Sequence, residues 1–161
     1  MIADPLGLPL GEPLQLGFIV ADAQRGAQQF TELLGLGPWS FEDWPPSRPG
    51  FESYADGEPR RWRTRLAFAS FGPLELELIE PVEGDTDYSR FLAERGGGFH
   101  HVLYVVDDLN AVEAALTARG FPVVMGATSR FPGARWILVD TRETLGFSLE
   151  LRSRLPQGAG E

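Results

Sequence analysis

The chain has no cysteine among its 161 residues. Disulfide frameworks, zinc–cysteine sites and cysteine nucleophiles are therefore excluded. Positive charge is scarce: 14 Lys and Arg stand against 23 Asp and Glu, a formal net charge of −9. Phosphate backbones are held by clustered cations, so a uniformly basic nucleic-acid surface is excluded. An anionic membrane surface repels such a chain on average. No run approaches the ~20 apolar residues of a membrane span. Residues 1–13 (MIADPLGLPLGEP) have no basic start and no long apolar stretch, and they hold three prolines, which is not the pattern of a secretory signal. The expectation is a cytoplasmic protein without nucleic-acid or membrane partners. Histidine is also scarce, with two residues, adjacent at His100 and His101.

What is present points to a folded chain of one-domain size, with 43% hydrophobic residues. The 19 glycines and 13 prolines predict many turns. Leu14 to Val20 is short, apolar and β-branched toward its end, which predicts a strand. Asp22 can cap a helix whose apolar positions are Ala23, Ala27, Phe30, Leu33 and Leu34, with Gly35 at its end. The same grammar returns in the strand from His101 to Val106, the caps Asp107 and Asp108, the stripe Leu109, Val112, Ala115 and Leu116, and the closing Gly120. Gln15 precedes Asp22 by the same interval as His101 precedes Asp108, an internal repeat.

Strand signals follow each helix, over about 50–55, 62–71 and 74–80, then 121–126, 134–140 and 146–152. Each half therefore reads as βαβββ, in the α+β class. The division is an extension over 1–13, a first module over 14–81, a helical linker over 82–99, a second module over 100–152 and a tail over 153–161, expected to be disordered from Pro156. In the linker, Thr86 caps a short helix to Glu94, ended by Gly96 to Gly98. Residues 37–50, with four prolines, predict neither a regular helix nor a central strand.

Strand alternation decides which side chains share a face. Gln15, Gly17 and Ile19 share one, matched in the repeat by His101, Leu103 and Val105, so His101 rather than His100 is the counterpart of Gln15. Glu77 and Glu150 each sit between two leucines on the last strand of their half. A buried carboxylate is costly unless paired, protonated or bound to metal. If a pseudo-twofold relates the halves, Gln15, Glu77, His101 and Glu150 converge near its axis. One imidazole nitrogen, two carboxylates and one amide oxygen suit Mn, Ni, Co, Zn or Fe as a divalent ion.

The segments LQLGFIVAD, LELELIEP, GGGFHHVLYVVDDL and GFSLELR, in this order and spacing, resemble the vicinal oxygen chelate superfamily, which includes glyoxalase I, methylmalonyl-CoA epimerase, extradiol dioxygenases and bleomycin-resistance proteins. The resemblance covers about residues 14–152 and is strongest to the epimerase and glyoxalase-like branch. It implies two βαβββ modules forming a curved mixed sheet around a central cavity. It also implies a divalent metal on Gln15, Glu77, His101 and Glu150, with Glu150 or Glu77 as general base, and a homodimer. The implied activity is a metal-dependent isomerase, epimerase or lyase that abstracts a proton beside a metal-polarised carbonyl. The family usually has His where this chain has Gln15, and an amide oxygen is a weaker ligand than imidazole for late transition metals. The alternative is therefore a non-catalytic binding protein of the bleomycin-resistance type for an aromatic or drug-like ligand, with the metal weak or absent. An extradiol dioxygenase, which commonly uses two His and one carboxylate, fits less well. Epimerases of this kind use a second carboxylate in the first half, whose counterpart here is one of Glu42, Glu52 and Glu58, a choice that the divergent loop leaves open.

Arg61, Arg63 and Arg65 alternate and so share a face. They are either a solvated strand face or an anion site, because guanidinium groups bind carboxylate and phosphate bidentately. With Trp39 and Trp62 they form the expected substrate-binding set, for an acyl-CoA, an organic acid or an aromatic compound.

Overall fold

The computed structural model describes residues 7, 8 and 10–155; the tail expected to be disordered, and most of residues 1–9, lie outside this range. In the first half come β1 (Pro13–Ile19), α1 (Ala23–Leu34), β2 (Ser40–Trp44), β3 (Ser53–Ala55), β4 (Glu58–Pro59), β5 (Arg63–Phe71) and β6 (Leu74–Glu83). The linker helix is α2 (Asp87–Arg95). The second half holds β7 (Gly98–Val106), α3 (Leu109–Ala118), β8 (Val123–Thr128), β9 (Arg135–Val139), α4 (Arg142–Leu145) and β10 (Ser148–Ser153). No helix among the described residues is long and apolar enough to cross a membrane.

The helices begin where their caps say. The Asp22 carboxylate accepts from the Arg25 amide at 2.8 Å, and Asp108 accepts from Ala111 at 3.0 Å. Thr86 and Ser89 form a reciprocal capping box at the start of α2. Gly35 and Gly96 end α1 and α2 in the left-handed region.

All ten strands form one curled mixed sheet in the order β2-β5-β6-β1-β7-β10-β9-β8-β3-β4. The convex face is covered by α1, whose Ala23 and Ala27 meet Ala67, Leu76 and Leu78, and by α3, whose Leu109, Val112 and Leu116 meet Ile137, Val139, Leu149 and Leu151. Full burial of each large side chain stabilises the fold by about 1.5–3 kcal/mol. The concave face holds Ile19, Leu66, Phe68, Ile79, Met125 and Leu138 with three tryptophans, and α2 brings Tyr88 and Phe91 to it.

Two strand expectations need correction. The edge strand of the first module is β2, inside the proline-rich 37–50 segment, where it pairs antiparallel with β5. Pro38, Pro45, Pro46 and Pro49 flank its five residues rather than interrupt them, and an edge strand tolerates missing donors. The stretch read as that module's strand, 50–55, instead crosses to the other half, where Ser53 pairs with Ala127 and Ala55 with Met125 of β8. The crossing segment ties the two rims of the curl together. Arg48 donates to the carbonyls of Ser129 and Arg130, and Glu42 pairs with Arg130 at 2.7 Å. The short helix α4 was not foreseen.

Candidate metal centre

The two modules meet where β1 and β7 pair antiparallel, with Leu16 opposite Val102. These two residues are equivalent in the repeat, so the pseudo-twofold passes through their pair. One step to either side, Gly17 faces His101 and Gln15 faces Leu103. On the parallel neighbours, Gly17 faces Glu77 of β6 and Leu103 faces Glu150 of β10. Register alone thus makes Glu77 and Glu150 symmetry equivalents and sets His101 between them.

The His101 Nε2 atom lies 3.0 Å from Glu150 Oε2 and 3.5 Å from Glu77 Oε2. One ligand atom from each of the three residues falls within 4.8 Å of the others. The side chains are buried, His101 completely. Yet His101 Nε2 makes no hydrogen bond of acceptable geometry. A buried ring nitrogen this close to two carboxylates, with no hydrogen bond to either, fits a cation-binding centre. An ion about 2.0–2.2 Å from each donor sets neighbouring donors about 2.8–3.6 Å apart, from octahedral to tetrahedral angles. Gln15 lines the same cleft, and its Nε2 donates to Glu75 Oε1 at 2.7 Å, which leaves the amide oxygen as its remaining ligand atom.

The electrostatics agree. Burial raises the Glu77 carboxyl above its ordinary value, partly offset by His101. Burial would lower His101, but the carboxylates of Glu150 and Glu77 outweigh it and raise the imidazole to about 9. Without metal, a proton on His101 offsets the two acids; a divalent cation offsets them in its place.

Three features hold His101. Beneath its ring is Gly17, where a Cβ would stand 2.0 Å from Cε1 and 2.2 Å from Nε2. Behind it, His100 Nδ1 lies 3.0 Å from His101 Nδ1, and His100 Nε2 lies 2.8 Å from Asp87 Oδ2. Arg142 donates to Asp87 Oδ1 at 2.9 Å and pairs with Asp140 at 2.7 Å. Burial lowers His100, with Asp87 opposing. Asp87 is also penalised by burial, but His100 and Arg142 hold it below the usual carboxylate range.

The cleft over this centre is walled by Trp44, Trp62, Trp136 and Tyr88. Trp44 and Trp62 stack with ring centroids 4.8 Å apart and planes 19° from parallel. Arg130 and Arg152 also line it. Arg130 lies over the Phe68 and Phe131 rings at 4.2 and 4.5 Å, and Arg152 over Phe131 at 4.8 Å.

The structure brings Gln15, Glu77, His101, Glu150 and Trp62 to one cleft. It does not bring the remaining expected substrate residues there. Arg61, Arg63 and Arg65 are exposed, alternating with buried Trp62, Thr64 and Leu66. Arg63 pairs with Glu83 at 3.6 Å and Arg65 with Asp43 at 3.3 Å, on the solvated side of the sheet. Trp39 packs against Phe30 beside α1, and its indole N–H donates to Thr31 at 3.0 Å. Glu42, Glu52 and Glu58 are exposed and line no part of the cleft. Sequence reasoning missed Arg130, Arg152, Gly17, His100 and Asp87. Arg152 had a usable signal, because it stands two residues beyond Glu150 on the same strand face.

Residues 14–137 match the Glyoxalase/Bleomycin resistance protein/Dioxygenase superfamily. The Bacillus subtilis (strain 168) protein YqjC is 31% identical over 94 residues, 55% of this chain and 64% of that protein, so the matched region spans less than two thirds of the relative. Hypothetical protein BH1468 from Bacillus halodurans C-125 has a similar structure, with a TM-score of 0.64 and 19% identity over 92% of this chain and 98% of the other. A variant of Streptomyces coelicolor methylmalonyl-CoA epimerase in complex with 2-nitronate-propionyl-CoA gives 0.66 and 19% over 94% and 99%. Mycobacterium tuberculosis methylmalonyl-CoA epimerase gives 0.66 and 18% over 94% and 93%. The same curled mixed sheet runs through these structures, and with more than half of its length matched the chain belongs to the Glyoxalase/Bleomycin resistance protein/Dioxygenase superfamily.

Proposed function

We propose that this protein is a metal-dependent isomerase, epimerase or lyase of the glyoxalase-like type, removing a proton from carbon beside a carbonyl. The carrying observation is the buried, unbonded His101 Nε2 directed between Glu77 and Glu150 at the floor of a cleft. Glu77, His101 and Glu150 would hold the ion, with the Gln15 amide oxygen as a fourth donor. When bound, the metal supplies Lewis acidity to the substrate carbonyl and lowers the pKa of the adjacent C–H.

The chain's own residues supply the remaining parts. With neither cysteine nor lysine in the sequence, and with burial holding the Tyr88 phenol protonated, Glu77 and Glu150 are the proton acceptors among the residues lining the cleft. Glu150 lies nearer to His101 and serves as ligand. Burial has moved the Glu77 carboxyl toward neutrality, as general acid–base work requires, so Glu77 takes the proton on the oxygen not facing the ion and returns it. Arg130 and Arg152 orient an anionic group of the substrate, and the tryptophans exclude water. An acyl-CoA, an organic acid or an aromatic acid meets these demands. A homodimer in the cytoplasm completes the reading.

The test is deuterium wash-in. Metal-loaded protein in D₂O, given methylmalonyl-CoA and then smaller 2-oxo and 2-hydroxy acids, should exchange the α-proton of one class. Glu77→Gln should abolish exchange even at metal concentrations that saturate it. The tryptophan walls favour a second reading, an aromatic-ligand binder. Ligand quenching of tryptophan fluorescence that is unchanged in metal-free His101→Ala, with no exchange for any class, would decide for the binder.

A further inference from the structure

We propose that Arg142, Asp87 and His100 form a proton-ordering relay that keeps an N–H on His101 Nδ1, so that Nε2 is the atom that gives up its proton to the metal centre. This rests on the metal reading above. Its logic runs from the far end inward. Arg142 carries only donors and is always charged. Its contact with Asp87 Oδ1 at 2.9 Å therefore fixes Asp87 as an acceptor-only carboxylate. Asp87 Oδ2, 2.8 Å from His100 Nε2, must accept a proton that this nitrogen carries. A neutral imidazole has one N–H, so His100 Nδ1 is left as an acceptor. The atom facing it at 3.0 Å is His101 Nδ1, which must be the donor. A neutral His101 then has its N–H at Nδ1 and its lone pair at Nε2, between Glu77 and Glu150.

The relay joins three elements: the turn of α4, the first residue of α2 and the strand β7. Adjacent strand residues ordinarily point to opposite faces, yet these two imidazoles turn their Nδ1 atoms toward each other. The rings of Phe91 and Tyr88 of α2 lie edge-on to the His100 ring, with centroids at 4.9 and 5.3 Å, while its hydrogen bonds to Asp87 and His101 set its rotation. A hydrogen bond from the distal N–H of a ligating histidine fixes its orientation and raises its basicity. In this centre that histidine is the lone nitrogen ligand among oxygens, because Gln15 stands at the symmetric position. The relay strengthens the one imidazole the site has. His100, Asp87 and Arg142 are positioning residues.

Asp87→Asn tests the idea with little change of shape. Its amide oxygen stays on Arg142 and its NH₂ faces His100. The relay then reverses: His100 Nε2 accepts, His100 Nδ1–H donates, and the proton of His101 moves to Nε2, where it blocks the ion. Co²⁺ titrated into the full chain and read by its visible absorption should bind about 10–100-fold more weakly. Phe91→Leu, which loosens packing on His100 without touching the hydrogen bonds, should lower the melting temperature and leave Co²⁺ affinity unchanged. In the unaltered Zn²⁺-loaded chain, long-range ¹⁵N–¹H spectra should show His100 protonated at Nε2 and His101 at Nδ1. His100 protonated at Nδ1 instead would overturn the relay, whether or not the variants fold. So would equal losses of affinity in Asp87→Asn and Phe91→Leu, or no loss in Asp87→Asn. An unaltered chain that takes up no Co²⁺ would overturn both the relay and the metal reading, which separates the two failures.

Discussion

Replacing Gly17 with alanine adds one methyl group to a strand in the middle of the sheet, and the structure says where that methyl would go. It would stand 2.0 Å from Cε1, 2.2 Å from Nε2 and 2.5 Å from Nδ1 of His101. Ordinary contact begins at 3.4 Å, so the ring or the strand must give by 3.4 − 2.0 = 1.4 Å. The ring is held from behind by His100 at 3.0 Å, and β1 is held by ladders to β6 and β7. Metal ligands tolerate about ±0.2 Å, so the displacement is several times what the centre can absorb. Gly17→Ala should cost about 1–3 kcal/mol of stability as overpacking, a fall in melting temperature of roughly 2–12 °C at this chain length. Co²⁺ affinity by calorimetry should fall by about 100-fold or more, since a ligand is in effect removed. The control is Gly126→Ala, whose methyl would meet the Tyr54 hydroxyl at 2.3 Å, a similar clash away from the centre. It should lower the melting temperature and spare the affinity. Unchanged Co²⁺ binding by Gly17→Ala, or equal loss in both variants, would refute the reasoning.

Stability of the metal-free chain should fall with rising pH. His101 is raised from 6.5 to about 9, so its contribution is complete below about 6.5 and is lost as pH climbs through 9. The bound is (9 − 6.5) × 1.36, on the order of 3 kcal/mol. Urea titrations from pH 6 to 10 should show this decline, and His101→Gln should remove it. Arg130→Met should weaken an anionic cleft ligand by about tenfold or more, the value of one charge-assisted hydrogen bond, and leave a neutral ligand of the same shape unaffected in a fluorescence titration. Trp62→Ala empties a site that is 2% exposed and should cost about 3–5 kcal/mol in urea unfolding.

The sequence carried the repeat because equal intervals link Gln15 to Asp22 and His101 to Asp108, and equal intervals survive folding. From that repeat, alternation selects His101 over His100 and picks Glu77 and Glu150 from many acids. Alternation stops short of saying which face is the inner one. Arg61, Arg63 and Arg65 do share a face, and it is the solvated one; the inner face belongs to their neighbours Trp62, Thr64 and Leu66. β2 was hidden because proline density was weighed over the whole 37–50 window, while five clear residues suffice for an edge strand. Arg130 reaches the cleft from a loop, where no period exists to read. The need for Gly17 is invisible until register sets it opposite His101. The His100 contact depends on ring rotation, which strand periodicity does not encode. The cap Thr86 was legible, but the reach of its neighbour Asp87 to His100 depends on how α2 docks.

The central claim is that Glu77, His101 and Glu150 hold one divalent ion beneath the cleft. The direct measurement is calorimetric titration of metal-stripped protein with Co²⁺, alongside Glu150→Gln and His101→Ala. The structure predicts one ion per chain, with binding lost in both variants while their far-ultraviolet circular dichroism matches the parent. No stoichiometric uptake by the parent, or uptake that both variants retain, would contradict it.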